Sequence, residues 1–118
     1  MDIGRATLCN WAMQAATACL PLINLISDEI LESRVINIDE TTLQVLAEPG
    51  REATTKSYMW VFRRGDPHRP AIIYQYHPTR AGDVAKAFLG DFKGVIQTDG
   101  YSGYDFLDHR EGGRHAGC

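Results

Sequence analysis

The sequence has too few cysteines, and an odd number of them, for a disulfide framework. Cys9, Cys19 and Cys118 in 118 residues read as reduced thiols of a cytoplasmic protein. No uninterrupted apolar run approaches the roughly 18 residues that would suggest a membrane span. The start lacks the basic segment, apolar stretch and small-residue cleavage site of a secretory leader. Positive charge is not in excess either: 12 Lys and Arg stand against 15 Asp and Glu, a formal net charge of −3. That balance speaks against a free-standing basic module for nucleic acid. There are no long internal repeats and no low-complexity tracts. What remains, with 44% hydrophobic and 23% charged residues, suits one soluble domain around one core.

The charge that is present is unevenly spread. Residues 1–50 hold two basic groups, Arg5 and Arg34, against seven acidic ones, including Asp39 and Glu40. Residues 51–80 reverse the balance, with six basic groups against Glu52 and Asp66. A basic stretch beside acidic residues suits a phosphate-contact surface next to a metal-binding cluster. Solvated strand faces and loops would give the same pattern. Arg63, Arg64 and Arg80 are the best phosphate-contact candidates within it.

The first thirty-odd residues carry a helical period. Leu8, Trp11, Ala12, Ala15, Cys19 and Leu22 recur at steps of three or four. Pro21 lacks a backbone donor, so it kinks this segment or begins a second helix. The pair is expected to pack on the domain or against another subunit, and spacing does not choose between them. From Arg34 the texture changes to short β-branched and aromatic runs. Val35–Ile38, Tyr58–Arg64 and Ala71–Tyr76 read as strands, with Thr42–Leu46 continuing the first or folding back as a hairpin. A helix with Thr79 or Gly82 near its start is expected to end at Gly90, followed by a last strand, Gly94–Thr98. Tyr101 to Cys118, rich in glycine and charge, shows no period, and its His-Ala-Gly-Cys ending reads as a frayed terminus.

Helices followed by strand, strand, strand, helix, strand describe an α/β fold. An antiparallel meander with a helical crossover to a parallel strand is an arrangement of the ribonuclease H type, and the crossover would bring the last strand beside the first. Two segments then become significant. Val35-Ile-Asn-Ile-Asp39 and Val95-Ile-Gln-Thr-Asp99 share a design: two branched apolar residues, an amide, one more residue, and aspartate at the strand's end. As parallel neighbours they would bring both carboxylates to the carboxyl edge of the sheet, where ligands of open α/β sheets bind. Alternation puts Asn37 on the face of Asp39 and Gln97 on the face of Asp99, while Glu40 turns to the opposite face as a hydrogen-bonding support. Paired carboxylates repel, and a divalent cation such as Mg2+ relieves that repulsion. An aspartate before glycine is equally a turn former, so the pair suggests a site without proving one.

The stretches Ile38-Asp-Glu-Thr41, Tyr58-Met-Trp-Val61, Tyr76-His-Pro-Thr-Arg80 and Phe92-Lys-Gly-Val-Ile-Gln-Thr-Asp-Gly-Tyr-Ser-Gly-Tyr104 together resemble the DDE transposases of the insertion sequence 66 family. Gly4-Arg-Ala-Thr-Leu-Cys-Asn-Trp11 and the Pro21 helix look like the segment that precedes that family's catalytic core, so the likeness covers nearly the whole chain. It implies a helical segment over residues 1–33 and a partial ribonuclease H-like catalytic domain over 34–118. It implies that Asp39 and Asp99 are the first and second catalytic aspartates, both ligands of Mg2+ or Mn2+, in cleavage and rejoining of DNA at element ends. The family's third acid is a glutamate on a helix further downstream. By that likeness the chain is a fragment, incomplete as a catalyst alone, and its two-metal site forms only with the third acid and DNA. Two other functions fit the residues: a non-catalytic DNA-binding or dimerising remnant, and a small two-aspartate nuclease that recruits Asp105, Asp108 or Glu111. DNA is the expected partner, self-association is open, and no membrane is involved.

Overall fold

A computed structural model describes residues 2–117. Two helices lead, α1 (Arg5–Ala18) and α2 (Leu20–Leu31), followed by β1 (Val35–Gln44), β2 (Lys56–Arg64) and β3 (Ile72–His77). A short helix α3 (Asp83–Leu89), strand β4 (Val95–Thr98), a 3-10 turn (Ser102–Leu107) and β5 (Arg114–Gly117) complete the order. The strands form one mixed sheet in the order β3-β2-β1-β4-β5. The meander β1-β2-β3 is antiparallel, and β4 returns through α3 to lie parallel to β1, as expected from the sequence.

Two alternatives left open by the sequence are decided here, and the tail differs from its reading. Thr42 continues β1, which runs ten residues instead of folding into a hairpin. Pro21 sits in the first turn of α2, where its missing N–H is no loss, so it begins a second helix. The glycine-rich tail is ordered: Arg114–Gly117 pairs in parallel with Val95–Thr98. Alternation could not reveal that strand, because its residues carry no apolar face. Cys118 lies outside the described residues.

Every covering element sits on one face of the sheet. Ile36 and Ile38 of β1, Trp60 and Phe62 of β2 and Ile96 of β4 point into this layer, where Val84, Ala85 and Leu89 of α3 meet them. Aromatic stacking knits it together, with Phe62 lying 3.9 Å from Phe88 and Tyr104 edge-on to Trp60. On the opposite face Glu48 and Arg51 of the β1–β2 connection close over Ser57 and bond with the Tyr76 hydroxyl at one end, and the rest of that face is open among the described residues. Directly opposed residues share a face, so the rows Asp39–Val61–Tyr74 and Asn37–Arg63–Ile72 both look out from it. Tyr74 is 66% exposed.

The leading helices contribute little to this core. α1 buries no residue and α2 buries only Ile30, so Leu8, Trp11, Leu22 and Leu25 stand in solvent. The helical period is real, but nothing among the described residues covers its stripe. Neither helix is long and apolar enough to cross a membrane, nor is any other among the described residues.

Candidate active site

The parallel register fixes the site. Val35 pairs with Val95, Ile36 with Ile96 and Asn37 with Gln97, so the two matched segments lie in step. The Asn37 Nδ2 donates to Gln97 Oε1 at 2.7 Å, closing the interstrand gap on the open face. Two residues further along each strand stand Asp39 and Asp99. Both are exposed, on the same face, at the carboxyl rim of strands that neighbour each other at about 4.8 Å. The structure therefore brings together the four residues Asn37, Asp39, Gln97 and Asp99.

Each aspartate is held by one oxygen. Asp39 Oδ1 accepts the Glu40 N–H at 2.9 Å, and among the described residues its other oxygen has no partner. Asp99 Oδ1 accepts the Tyr101 N–H at 3.1 Å, and Oδ2 lies 4.0 Å from the Arg80 guanidinium. Two exposed carboxylates are hard-oxygen donors of the kind Mg2+ or Mn2+ takes. Among the described residues no three His, Cys, Asp or Glu side chains are grouped for a metal, so the rim presents two carboxylates without a third.

Beneath the rim, on the covered face, lies a second charged group. The Glu40 side chain is 1% exposed, accepts Arg80 at 2.5 Å and also accepts the Tyr104 hydroxyl. Arg80 packs over the Tyr101 ring at 3.6 Å, and the Tyr101 hydroxyl donates to the Arg80 carbonyl. Burial works against the Arg80 charge, yet the Glu40 carboxylate outweighs it and holds the guanidinium above its ordinary pKa. Burial, reinforced by Glu40, likewise pushes the Tyr104 phenol well above its usual value, so Tyr104 remains a donor. Glu40 thus anchors Arg80, and Arg80 in turn faces Asp99.

The arginines named from sequence separate here. Arg63 is exposed on the open face, opposite Asn37 and beside the acidic rim. Arg80 is 37% exposed, between Glu40 and Asp99. Arg64 is corrected as a phosphate-contact candidate: it is 7% exposed on the covered face, bonded to the backbone carbonyl and carboxylate of Glu29. Buried against α2, this guanidinium is out of reach of an external phosphate, although its position next to Arg63 gives no sign of this in sequence.

Spacing also gave no hint of the glycine contact that seats the Asp99 segment. A Cβ on Gly82 would meet the Gly103 carbonyl oxygen at 2.1 Å. Gly82 caps α3, and Gly103 belongs to the turn after Asp99. Gly82→Ala is expected to cost about 1–3 kcal/mol through backbone displacement. Thermal unfolding by circular dichroism would show it, and an unchanged melting temperature would refute the close approach.

A five-stranded mixed sheet with two aspartates at the shared rim of adjacent parallel strands defines an α/β protein with a two-acid site. The comparison with known families makes this specific. The model described as "Transposase IS66 family" matches residues 1–118, and the chain belongs to that family. Two proteins of Sinorhizobium fredii (strain NBRC 101917 / NGR234) are similar to it. The uncharacterized protein y4qI is 31% identical over 112 residues, covering 91% of this chain and 21% of its own length. The uncharacterized protein y4jD is 31% identical over 117 residues, covering 95% and 23%. The chain therefore spans about a fifth of the length of these relatives.

Proposed function

We propose that this chain is the part of a DDE transposase that supplies the first two acids of a divalent-metal site for DNA strand cleavage and transfer. The observation that carries this reading is the in-step pairing of β1 with β4, which delivers Asp39 and Asp99 to one rim. The strand order, an antiparallel meander extended by parallel β4 and β5, supports a ribonuclease H-like assignment. Asp39 and Asp99 would hold Mg2+ or Mn2+, which would supply Lewis-acid stabilisation of charge on the attacking and leaving oxygens. Arg63, on the open face, and Arg80, at the rim, contact the phosphate backbone of the element ends, where each is worth mainly affinity rather than sequence choice. Asn37 and Gln97 hold the two strands in step, and Glu40 holds Arg80. With two carboxylates, the chain is incomplete as a catalyst, and the third comes from elsewhere in the longer protein.

Titration of the 118-residue chain with MnCl2, followed by water-proton relaxation, tests this. Weak binding that disappears in both Asp39→Asn and Asp99→Asn is expected. Binding that survives both substitutions would sink the assignment. A second reading, a DNA-binding or dimerising module without catalysis, is favoured by the two-ligand rim and by the unpaired apolar stripe of α1 and α2. In that case both asparagine variants leave DNA affinity and metal response alike unchanged. The two-aspartate nuclease has less support, since neither Asp105, Asp108 nor Glu111 joins the rim pair in a group of three.

A further inference from the structure

The tail read from sequence as frayed carries an unassigned hydrogen-bonded chain. His115, on β5, lies opposite Ile96 in the parallel register and faces the covered layer with a largely buried ring. Its Nε2 is 2.8 Å from the Thr98 Oγ1, and its Nδ1 is 2.6 Å from the Asp108 Oδ1. Thr98 is 3% exposed, and its hydroxyl is also 2.8 Å from the Asp99 carbonyl oxygen, to which it donates. Hydroxyl, imidazole and carboxylate in line resemble a nucleophile relay, but this hydroxyl is buried and bonded to backbone, so it meets no substrate. Its position suggests another role. Thr98 immediately precedes Asp99, and Asp108 closes the 3-10 turn that follows it. One imidazole therefore grips both ends of the segment 98–108 and ties it to β5.

We infer that His115 is a positioning residue for the second aspartate: through Thr98 and Asp108 it fixes the backbone from which the Asp99 carboxylate reaches the rim. This rests on the two-aspartate reading for its functional meaning, while its geometric content stands apart from metal. Asx-type bonding makes that content measurable, because the Tyr101 N–H donates to Asp99 Oδ1 and reports the carboxylate's orientation. Partners that orient a metal ligand without touching the ion are typically worth about 10–100-fold in affinity.

The experiment compares the 118-residue chain with its His115→Ala, His115→Gln and Asp108→Asn variants. Ile73→Ala serves as a control, since it weakens the core on β3, away from this chain of bonds. Amide hydrogen exchange of Tyr101 is expected to speed up about tenfold or more in His115→Ala, less in Asp108→Asn, with β2 amides unchanged. His115→Gln, whose amide can donate to Thr98, is expected to recover part of the protection. Mn2+ affinity is expected to fall about tenfold in His115→Ala and to stay within about twofold in Ile73→Ala. Unchanged Tyr101 exchange in His115→Ala, or equal effects of His115→Ala and Ile73→Ala, overturns the inference. Absence of Asp39- and Asp99-dependent Mn2+ binding in the parent chain would instead remove the metal reading, and the exchange result would still decide the role of His115.

Discussion

Replacing Arg80 with alanine is expected to lower the melting temperature by about 10 °C, corresponding to about 3 kcal/mol in a domain of this size. The reason lies in what is left behind. Glu40 is almost fully enclosed, and its carboxylate is neutralised by the guanidinium and bonded by the Tyr104 hydroxyl. Without Arg80 a buried charge keeps one neutral donor, and breaking a buried pair from one side costs about 3–5 kcal/mol. The partial exposure of Arg80 puts the loss at the lower end. Glu40→Gln removes the buried charge and keeps one acceptor oxygen, for Arg80 or for Tyr104 but not for both, so it should cost less. Thermal melts of the two variants side by side provide the check, and an Arg80→Ala chain as stable as Glu40→Gln would show that the pair is not buried in solution.

Trp60→Ala should be at least as damaging, at about 3–5 kcal/mol. Trp60 is fully buried, stacks with Phe62 at 6.4 Å and takes Tyr104 edge-on at 6.1 Å. Its indole N–H also reaches the Thr79 carbonyl, which steadies the segment leading to Arg80. The truncation therefore opens a cavity in the covered layer and frees the backbone next to the charged group below the rim. Since domains are stable by only about 5–15 kcal/mol, the variant is expected to be largely unfolded at modest urea concentrations. Trp60→Phe, which keeps most of the ring, should shift the urea midpoint far less. Similar midpoints for the two would mean that the layer is looser than its stacking geometry indicates.

The part of this molecule that repeats locally was legible in sequence. The shared pattern of residues 35–39 and 95–99 pointed to two matched strands with acids at their ends, which pair in step in the sheet. Trp60, Tyr74 and Tyr76 were readable as sheet residues, though not the division that buries Trp60 and leaves Tyr74 outside. What escaped was long-range pairing. Glu40 and Tyr104 are 64 positions apart and Gly82 meets Gly103 across two elements, so no spacing announces either contact. Arg63 and Arg64 look equivalent as neighbours, yet alternation sends one to the open face and the other into Glu29. His115 escaped for a different reason: β5 is held by strand hydrogen bonds and one imidazole rather than by an apolar face, which is the signal a sequence reading follows.

The leading helices show that helical structure and membership of the core are separate matters. From Ala6 to Ser27 no residue carries a charge, and α1 shares no buried side chain with the sheet. The molecule is accordingly elongated, 56 Å along its longest axis against 21 Å along its shortest. Thermodynamically it has two tenants: a core anchored by Trp60, Phe62, Ile30 of α2 and the Glu40–Arg80 pair, and α1, a projecting rod expected to fray or be shaved by a protease while the melting curve barely moves.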